Sequence, residues 1–298
     1  MKLSPSDLFL LYQCAISAAL QAGQIISKYT HRPLSVKPKT GGISPASQIV
    51  TDVDYLCQNI ILQTLDPTCE TFDLALLAEE NPDDLKRLEK DYFWCVDPLD
   101  GTLPFVESTP GYAVSVALVS SNGTPYIGVI YDPAEQTLYH AMKNGGAFRN
   151  GKRWPLNLSS ASPGDSLTLI ADRSFKQHNL FSEMVAELKS VALEMGYDGL
   201  NTLLYGGAAM NACWVLEKAP ACYFKFPKQP EGGGSLWDYA ATACLFFESG
   251  AIVSDIYSEP LDLNRPDSTF MNHRGVLYAS NQTLAGQVID LYAGLQNR

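Results

Sequence analysis

The 298-residue sequence predicts a mixed α and β protein, with an α+β first half built on an antiparallel sheet and an α/β second half. Three observations carry this. Two segments of helical period open the chain, β-branched runs separated by Asn-Gly and Asp-Pro turns follow, and beyond about residue 165 short apolar runs alternate with helical ones. At roughly 150 residues per domain the length allows two units. They are read as 1–158 and 159–298, with the boundary in the Ser-rich stretch near 155–165.

From Asp7 to about Tyr29, Leu8, Leu11, Ala15, Ala18, Ala22, Ile25 and Ile26 recur at helical spacing, which predicts an amphipathic helix. Segment 31–50, rich in Pro, Lys, Gly and Ser, reads as a loop. Thr51 then caps a second helix that carries Val53, Leu56, Cys57, Ile60, Ile61 and Leu65 on one face. Phe93 to Val96 reads as a strand entering a loop at Asp97-Pro98, where the proline stops regular continuation. Tyr112–Ser120, Tyr126–Tyr131 and Thr137–Met142, divided by Asn122-Gly123 and Asp132-Pro133, form an antiparallel meander closed by the Gly145-Gly146 and Asn150-Gly151 turns. In the second half, Leu167–Ala171, Ala221–Phe226 and Ala251–Asp255 read as strands, and 179–195, Ala208–Leu216 and 236–249 as helices.

Hydrophobic residues at 46% and charged residues at 18% are ordinary globular values and exclude disorder and fibrous repeats. The net charge of −11 argues against nucleic-acid polymers and anionic membranes as partners, since both require a basic stripe. Seven scattered cysteines with no C-x-x-C pair indicate neither a disulfide framework nor a zinc knuckle, and they fit a reducing cytoplasm. The N-terminus lacks the order of a signal peptide, and no apolar run is expected to approach a membrane span.

Three acidic clusters stand out: Glu79-Glu80, the Trp94 to Thr102 element containing Asp97 and Asp100, and Trp237-Asp238. Singly, each has a plain reading. Asp97 and Asp100 suit turns, Asp54 and Asp238 suit capping boxes after Thr51 and Ser235, and Glu79-Glu80 suits a solvated surface. Together they offer hard oxygen ligands of the kind Mg2+ takes. Two aspartates three residues apart on a tight loop can aim at one point, and Leu99 adds a carbonyl. Gly101 and Thr102 offer backbone N–H groups to a phosphate oxygen. The four histidines, His31, His140, His178 and His273, show no metal-ligand spacing, which disfavours a zinc hydrolase.

In this order the clusters resemble the signatures of the inositol monophosphatase superfamily, metal-dependent and lithium-sensitive phosphomonoesterases. The resemblance runs from Val50-Thr51-x-x-Asp54 through Glu79-Glu80 and W-x-x-D-P-L-D-G-T (94–102) to W-D-x-A-A (237–241) and Glu248-Ser249-Gly250-Ala251. It implies a five-layered αβαβα sandwich, commonly dimeric. It also implies that Glu79, Asp97, Asp100, the Leu99 carbonyl and Asp238 hold two or three Mg2+ ions. Gly101 and Thr102 would bind the phosphate, and Thr102, with Asp54 and Glu79, would orient and deprotonate the attacking water. The physical logic agrees, because phosphoryl transfer needs mainly positioning and charge neutralisation.

The resemblance implies a small phosphorylated metabolite as the substrate. Tyr205-Gly206-Gly207-Ala208-Ala209 resembles the family's substrate loop, but Lys225 stands where inositol monophosphatases usually place a glutamate. A lysine cannot accept hydrogen bonds from inositol hydroxyls, but it can pair with a second anion. Ala171-Asp172-Arg173-Ser174 and Pro260-Leu261-Asp262-Leu263 resemble the 3′(2′),5′-bisphosphate nucleotidases, whereas Leu103-Pro104 replaces the Lys-Glu common after the threonine in that branch. The expected substrate is 3′-phosphoadenosine 5′-phosphate, read by Lys225 and Arg173. The alternatives are inositol 1-phosphate, sugar or histidinol phosphates, and, in another class, a non-catalytic metal-binding regulator of the same fold. Gly232-Gly233-Gly234 reads as a surface loop or a lid.

Overall fold

Ser4 starts the first helix by a capping box with Asp7, and the periodic apolar residues Leu11, Ala15, Ala18, Ala22 and Ile26 are its buried face. The structure, a computed structural model, describes residues 2–30, 32, 36–38, 49–155 and 164–296. In chain order the elements are α1 (Pro5–Tyr29), β1 (Val36–Pro38), β2 (Ile49–Thr51), α2 (Asp52–Phe72), β3 (Ala75–Ala78), β4 (Tyr92–Asp100) and α3 (Thr102–Val106). The meander follows as β5 (Ala113–Ser120), β6 (Pro125–Asp132), β7 (Thr137–Met142), β8 (Gly146–Arg149) and β9 (Lys152–Arg153). Next come β10 (Leu167–Ile170), α4 (Phe181–Glu194), β11 (Leu200–Leu203), α5 (Ala208–Glu217) and β12 (Ala221–Lys225). The chain closes with α6 (Leu236–Ser249), β13 (Ile252–Ser254), β14 (Val276–Ala279) and α7 (Gln282–Gln296).

The strands β3 to β9 form a seven-stranded sheet in sequence order, antiparallel except for the parallel pair β3 and β4. A five-stranded mixed sheet has the order β11-β10-β12-β14-β13, with β10, β11 and β12 parallel. Helices α1 and α2 cover the outer face of the first sheet, α5 and α6 fill the space between the sheets, and α4 and α7 cover the far face of the second. This is the expected αβαβα layering. Because helices lie on both sides, β4 is buried along its whole length, with Phe93 and Cys95 facing the middle layer and Trp94 and Val96 the outer one.

Several expectations need correction. Strand β4 does not end at Asp97-Pro98 but runs to Asp100. Its pairing with β5 shifts between Asp97↔Ser115 and Asp100↔Ala113, so Pro98 and Leu99 oppose the single residue Val114. A β-bulge needs no ladder hydrogen bond from the proline, which is why the strand survives it. Part of segment 31–50 is strand rather than loop, since β1 and β2 pair antiparallel; apart from Arg32 the rest of the segment, His31 included, lies outside the described residues, as do 156–163 within the expected boundary. Helix α1 is, by length and composition, apolar enough to cross a membrane, and here its apolar face packs on α2 and the first sheet. The strands β3, β11 and β14 and helix α7 escaped the sequence reading. For α7 a signal existed: Leu284, Ala285, Val288, Tyr292 and Leu295 are periodic, and Asn281 caps the Leu284 N–H.

Candidate active site

Strand β3 ends at Ala78, opposite Val96 of parallel β4, and the N–H of Glu79 bonds to the Val96 carbonyl, so Glu79 arrives beside the β4 bulge. At that bulge Asp97 accepts the Leu99 N–H at 2.9 Å in place of a ladder partner. Asp238, in the first turn of α6, completes a group in which oxygens of Asp97, Asp100 and Asp238 lie within 4.8 Å of one another. Burial comes first in pushing each of the three carboxyls above the usual range. The neighbouring carboxylates add to it, including Glu79, which is close enough to Asp97 to share a hydrogen bond. Asp238 is raised to about 6, with Lys225 and the Ser235 N–H opposing the shift. A cluster in this state is short of positive charge.

The capping-box reading of Asp54 and Asp238 and the site reading hold together. Asp54 Oδ2 accepts the Thr51 N–H at 2.8 Å and its hydroxyl at 2.6 Å, while Oδ1 lies 3.3 Å from the Thr102 hydroxyl. That hydroxyl is also 3.2 Å from the Leu99 carbonyl, and its one proton serves one acceptor at a time. Asp238 accepts the Ser235 N–H, and the Ser115 hydroxyl donates to the Trp237 carbonyl at 2.9 Å, pinning the start of α6 to β5. Gly101 and Thr102 open the short helix α3 directly after Asp100. The structure thus brings together Asp54, Glu79, Asp97, Leu99, Asp100, Thr102 and Asp238.

Asp100 is held from the second half of the chain. Its oxygens accept the N–H groups of Ala208 at 3.2 Å and Ala209 at 2.8 Å, at the positive end of α5. Close approach requires glycine here. A Cβ on Gly207 would stand 2.5 Å from Asp100 Oδ2, and one on Gly111 would stand 2.8 Å from the Gly206 Cα. The Gly207 N–H goes to the Gly111 carbonyl at 2.7 Å. In this structure Gly206, Gly207 and Ala208 therefore seat Asp100, and the N–H groups of Gly207 and Ala208 are given to protein acceptors.

The two expected anion readers are also held. Lys225 Nζ lies 2.7 Å from Asp172 Oδ2 and 5.5 Å from the centroid of the Tyr239 ring. Burial opposes its charge, yet Asp172, Tyr239 and Asp238 together hold its pKa well above the ordinary lysine value. Asp172 also accepts the Tyr223 hydroxyl at 3.1 Å and the Asn211 amide at 3.2 Å. Arg173 makes a two-pronged bond to Glu107, at 2.8 and 2.6 Å, on the exposed rim. Both cations proposed as readers are thus paired with carboxylates within the chain. Sequence reasoning missed Asp172, Gly111 and Tyr239. The first directly follows the expected strand Leu167–Ala171 and the second ends a Thr-Pro-Gly turn, so both left some signal.

The Gly232–Gly234 stretch is tied down. The Tyr239 hydroxyl donates to the Gly233 carbonyl at 2.8 Å, the Met271 N–H to the Gly234 carbonyl at 3.0 Å, and Ser235 bridges Phe270. Of the histidines, His140 lies elsewhere, bonded to Tyr12 and stacked on Phe148.

Comparison with known proteins agrees with this arrangement. The family model described as "Inositol monophosphatase family" matches residues 7–293. The chain is 30% identical to the inositol-1-monophosphatase of Synechocystis over 261 residues, covering 88% of this chain and 84% of that protein. It is also 30% identical to the Nus factor SuhB of Escherichia coli over 241 residues, 81% and 83% of the two chains. Among solved structures, the Thermotoga maritima IMPase superposes with a TM-score of 0.73 at 19% identity over 95% of this chain and 96% of that one. The Anabaena inositol monophosphatase gives 0.68 at 23% over 96% of each. With the family model spanning nearly the whole sequence and the acidic cluster assembled, the chain belongs to the inositol monophosphatase family of metal-dependent phosphomonoester hydrolases.

Proposed function

We propose that the protein is a Mg2+-dependent phosphatase acting on a small phosphate monoester that carries a second anionic group, with 3′-phosphoadenosine 5′-phosphate as the reference substrate. The convergence of Asp97, Asp100 and Asp238 within 4.8 Å carries the reading. The donor set fits the metal: it is all oxygen and without Cys or His, with Asp97 and Asp100 buried and Asp238 half-buried, as hard Mg2+ prefers. Asp97, Asp100, Asp238, Glu79 and the Leu99 carbonyl would hold two or three ions. When bound, Mg2+ supplies a Lewis acid for the phosphoryl oxygens and neutralises the carboxylates. The chain's own part is positional. Gly101 and Thr102 give backbone N–H groups to the phosphate; Thr102, oriented by Asp54, accepts a hydrogen bond from the attacking water, and Glu79 takes that water's proton.

For the substrate, SaIMPase-II has been solved with inositol monophosphate bound and with 2′AMP bound. The fold thus takes both a polyol and a nucleotide, and the choice falls to side chains. Lys225 at the end of β12 removes the acceptor a polyol would use. Lithium inhibition, a homodimer and a cytoplasmic setting belong to the same reading, the last supported by seven unpaired thiols. The test is Mg2+-dependent phosphate release from the bisphosphate, adenosine 3′-phosphate, inositol 1-phosphate, and sugar and histidinol phosphates. The bisphosphate should give the highest kcat/KM, and Asp97→Asn should abolish turnover. Full activity in that variant, or no release from any ester, overturns the phosphatase reading; preference for inositol 1-phosphate overturns only the substrate.

A further inference from the structure

The crevice at the carboxyl ends of parallel strands β10, β11 and β12 is where an open α/β sheet binds its ligand. Asp172 follows β10, Gly206 and Gly207 follow β11, and β12 ends on Lys225 and continues through Phe226-Pro227 to Lys228. Three cations thus stand around this mouth. Asp172 holds Lys225 and Glu107 holds Arg173, whereas Lys228 has no hydrogen-bond or ion-pair partner for its ammonium among the described residues.

Lys228 is exposed, but its backbone is clamped. Its N–H donates to the Asn272 carbonyl at 2.9 Å, and the Asn272 amide returns bonds to the carbonyls of Lys228 at 3.0 Å and Pro230 at 3.1 Å. Its stem lies along the triple glycine: a Cβ on Gly233 would come 3.0 Å from Lys228 Cε, and one on Gly232 3.5 Å from Nζ. Gly233 is in turn bonded to Tyr239, whose ring faces the Lys225 ammonium. Lys228 and Lys225 are therefore linked through Gly233 and Tyr239. Burial and the Lys225 charge accordingly hold Lys228 below the ordinary lysine value, with Asp172 partly offsetting them.

We propose that Lys228 is the specificity-determining cation of this site, meeting an anionic group of the substrate remote from the scissile phosphate in place of Lys225. This rests on the reading that the substrate carries such a second group. Gly232 and Gly233 leave the room in which the Lys228 stem lies, and the Asn272 clamp fixes the backbone from which it extends.

The test compares kcat and KM for 3′-phosphoadenosine 5′-phosphate and for adenosine 3′-phosphate, the same ester without the second anion. Three proteins are measured: the parent, Lys228→Gln, and Lys152→Gln as a charge-matched control on exposed β9. The parent should have the lower KM for the bisphosphate. Lys228→Gln should narrow the KM ratio between the substrates by roughly tenfold, mainly through KM rather than kcat, and Lys152→Gln should leave the ratio in place. A parent preference that survives Lys228→Gln, or that Lys152→Gln erodes equally, overturns the role of Lys228 and leaves the substrate reading standing. A parent without the preference overturns the substrate reading, and the Lys228 assignment with it, from the parent data alone.

Discussion

Asp100 Oδ2 accepts the Ala209 N–H at 2.8 Å, so an acid at the end of a first-sheet strand is capped by a helix of the middle layer. Asp97, three residues earlier, accepts the Leu99 N–H and shares a hydrogen bond with the Glu79 carboxyl, with no helix N-terminus to hold it. The two acids should respond differently to the same change. Asp97→Asn keeps an oxygen for Leu99 and relieves repulsion within the cluster, whereas Asp100→Asn turns an NH2 toward one of two N–H donors. Both variants should lose about a hundredfold or more in turnover. In EDTA, the thermal midpoint of Asp97→Asn should equal or exceed the parent's, and that of Asp100→Asn should fall below it by the equivalent of about 1–3 kcal/mol. Equal midpoints for the two variants in a melting experiment would contradict the capping role.

Buried carboxylates pushed up by burial and by one another should make a divalent cation strongly stabilising. Binding to the folded state alone contributes about 2.7 kcal/mol at a hundredfold excess over Kd. Melting curves with and without Mg2+ should show this gain in the parent and a loss of most of it in Asp238→Asn. A parent whose midpoint ignores Mg2+ would refute the cation site.

Gly111 holds the crossing of three loops at the site. An alanine there must adopt φ of +112° and approach Gly206 to 2.8 Å and Trp214 to 3.0 Å. Gly111→Ala should cost about 1–3 kcal/mol and lower kcat/KM, because Asp100 loses its seat on α5. Gly286→Ala on α7 meets nothing within 4 Å and should be neutral or stabilising by about 0.4–1 kcal/mol. Denaturant midpoints and steady-state kinetics on both variants check the contrast.

Asp132 is buried outside the site, and burial, with Glu135 and Glu217 adding to it, raises its pKa from 3.8 to about 6 against two backbone N–H bonds. Between those values the folded state binds more protons than the unfolded one, so this group's contribution to stability is full below pH 3.8 and is lost as pH rises to about 6. Asp132→Asn retains an oxygen for both N–H donors and removes the titration. Urea midpoints from pH 4 to 8 should move in the variant's favour by roughly 1–3 kcal/mol across that window. Parallel profiles would show that Asp132 does not titrate as described.

Much of this protein was determined by local sequence alone. The period of Leu11, Ala15, Ala18, Ala22 and Ile26 sets α1, the turn pairs between β-branched runs set the meander, and Thr51-x-x-Asp54 and Ser235-x-x-Asp238 set two helix starts. These depend on bonds between residues a few positions apart. The order of the acidic motifs also identified the family, and with it the layered fold. What only the tertiary structure decided depends on distance through space. Strand β4 passes Pro98 because its register with β5 admits a bulge there. Five acids from four separate segments meet because parallel strands and helix starts end at one place, so the residues that cap α2 and α6 also face the site. Along the chain Lys225 and Arg173 read as anion readers with no partner indicated, whereas Asp172 and Glu107 pair with them, and a pairing across folded elements is set by coordinates that no spacing along the sequence encodes.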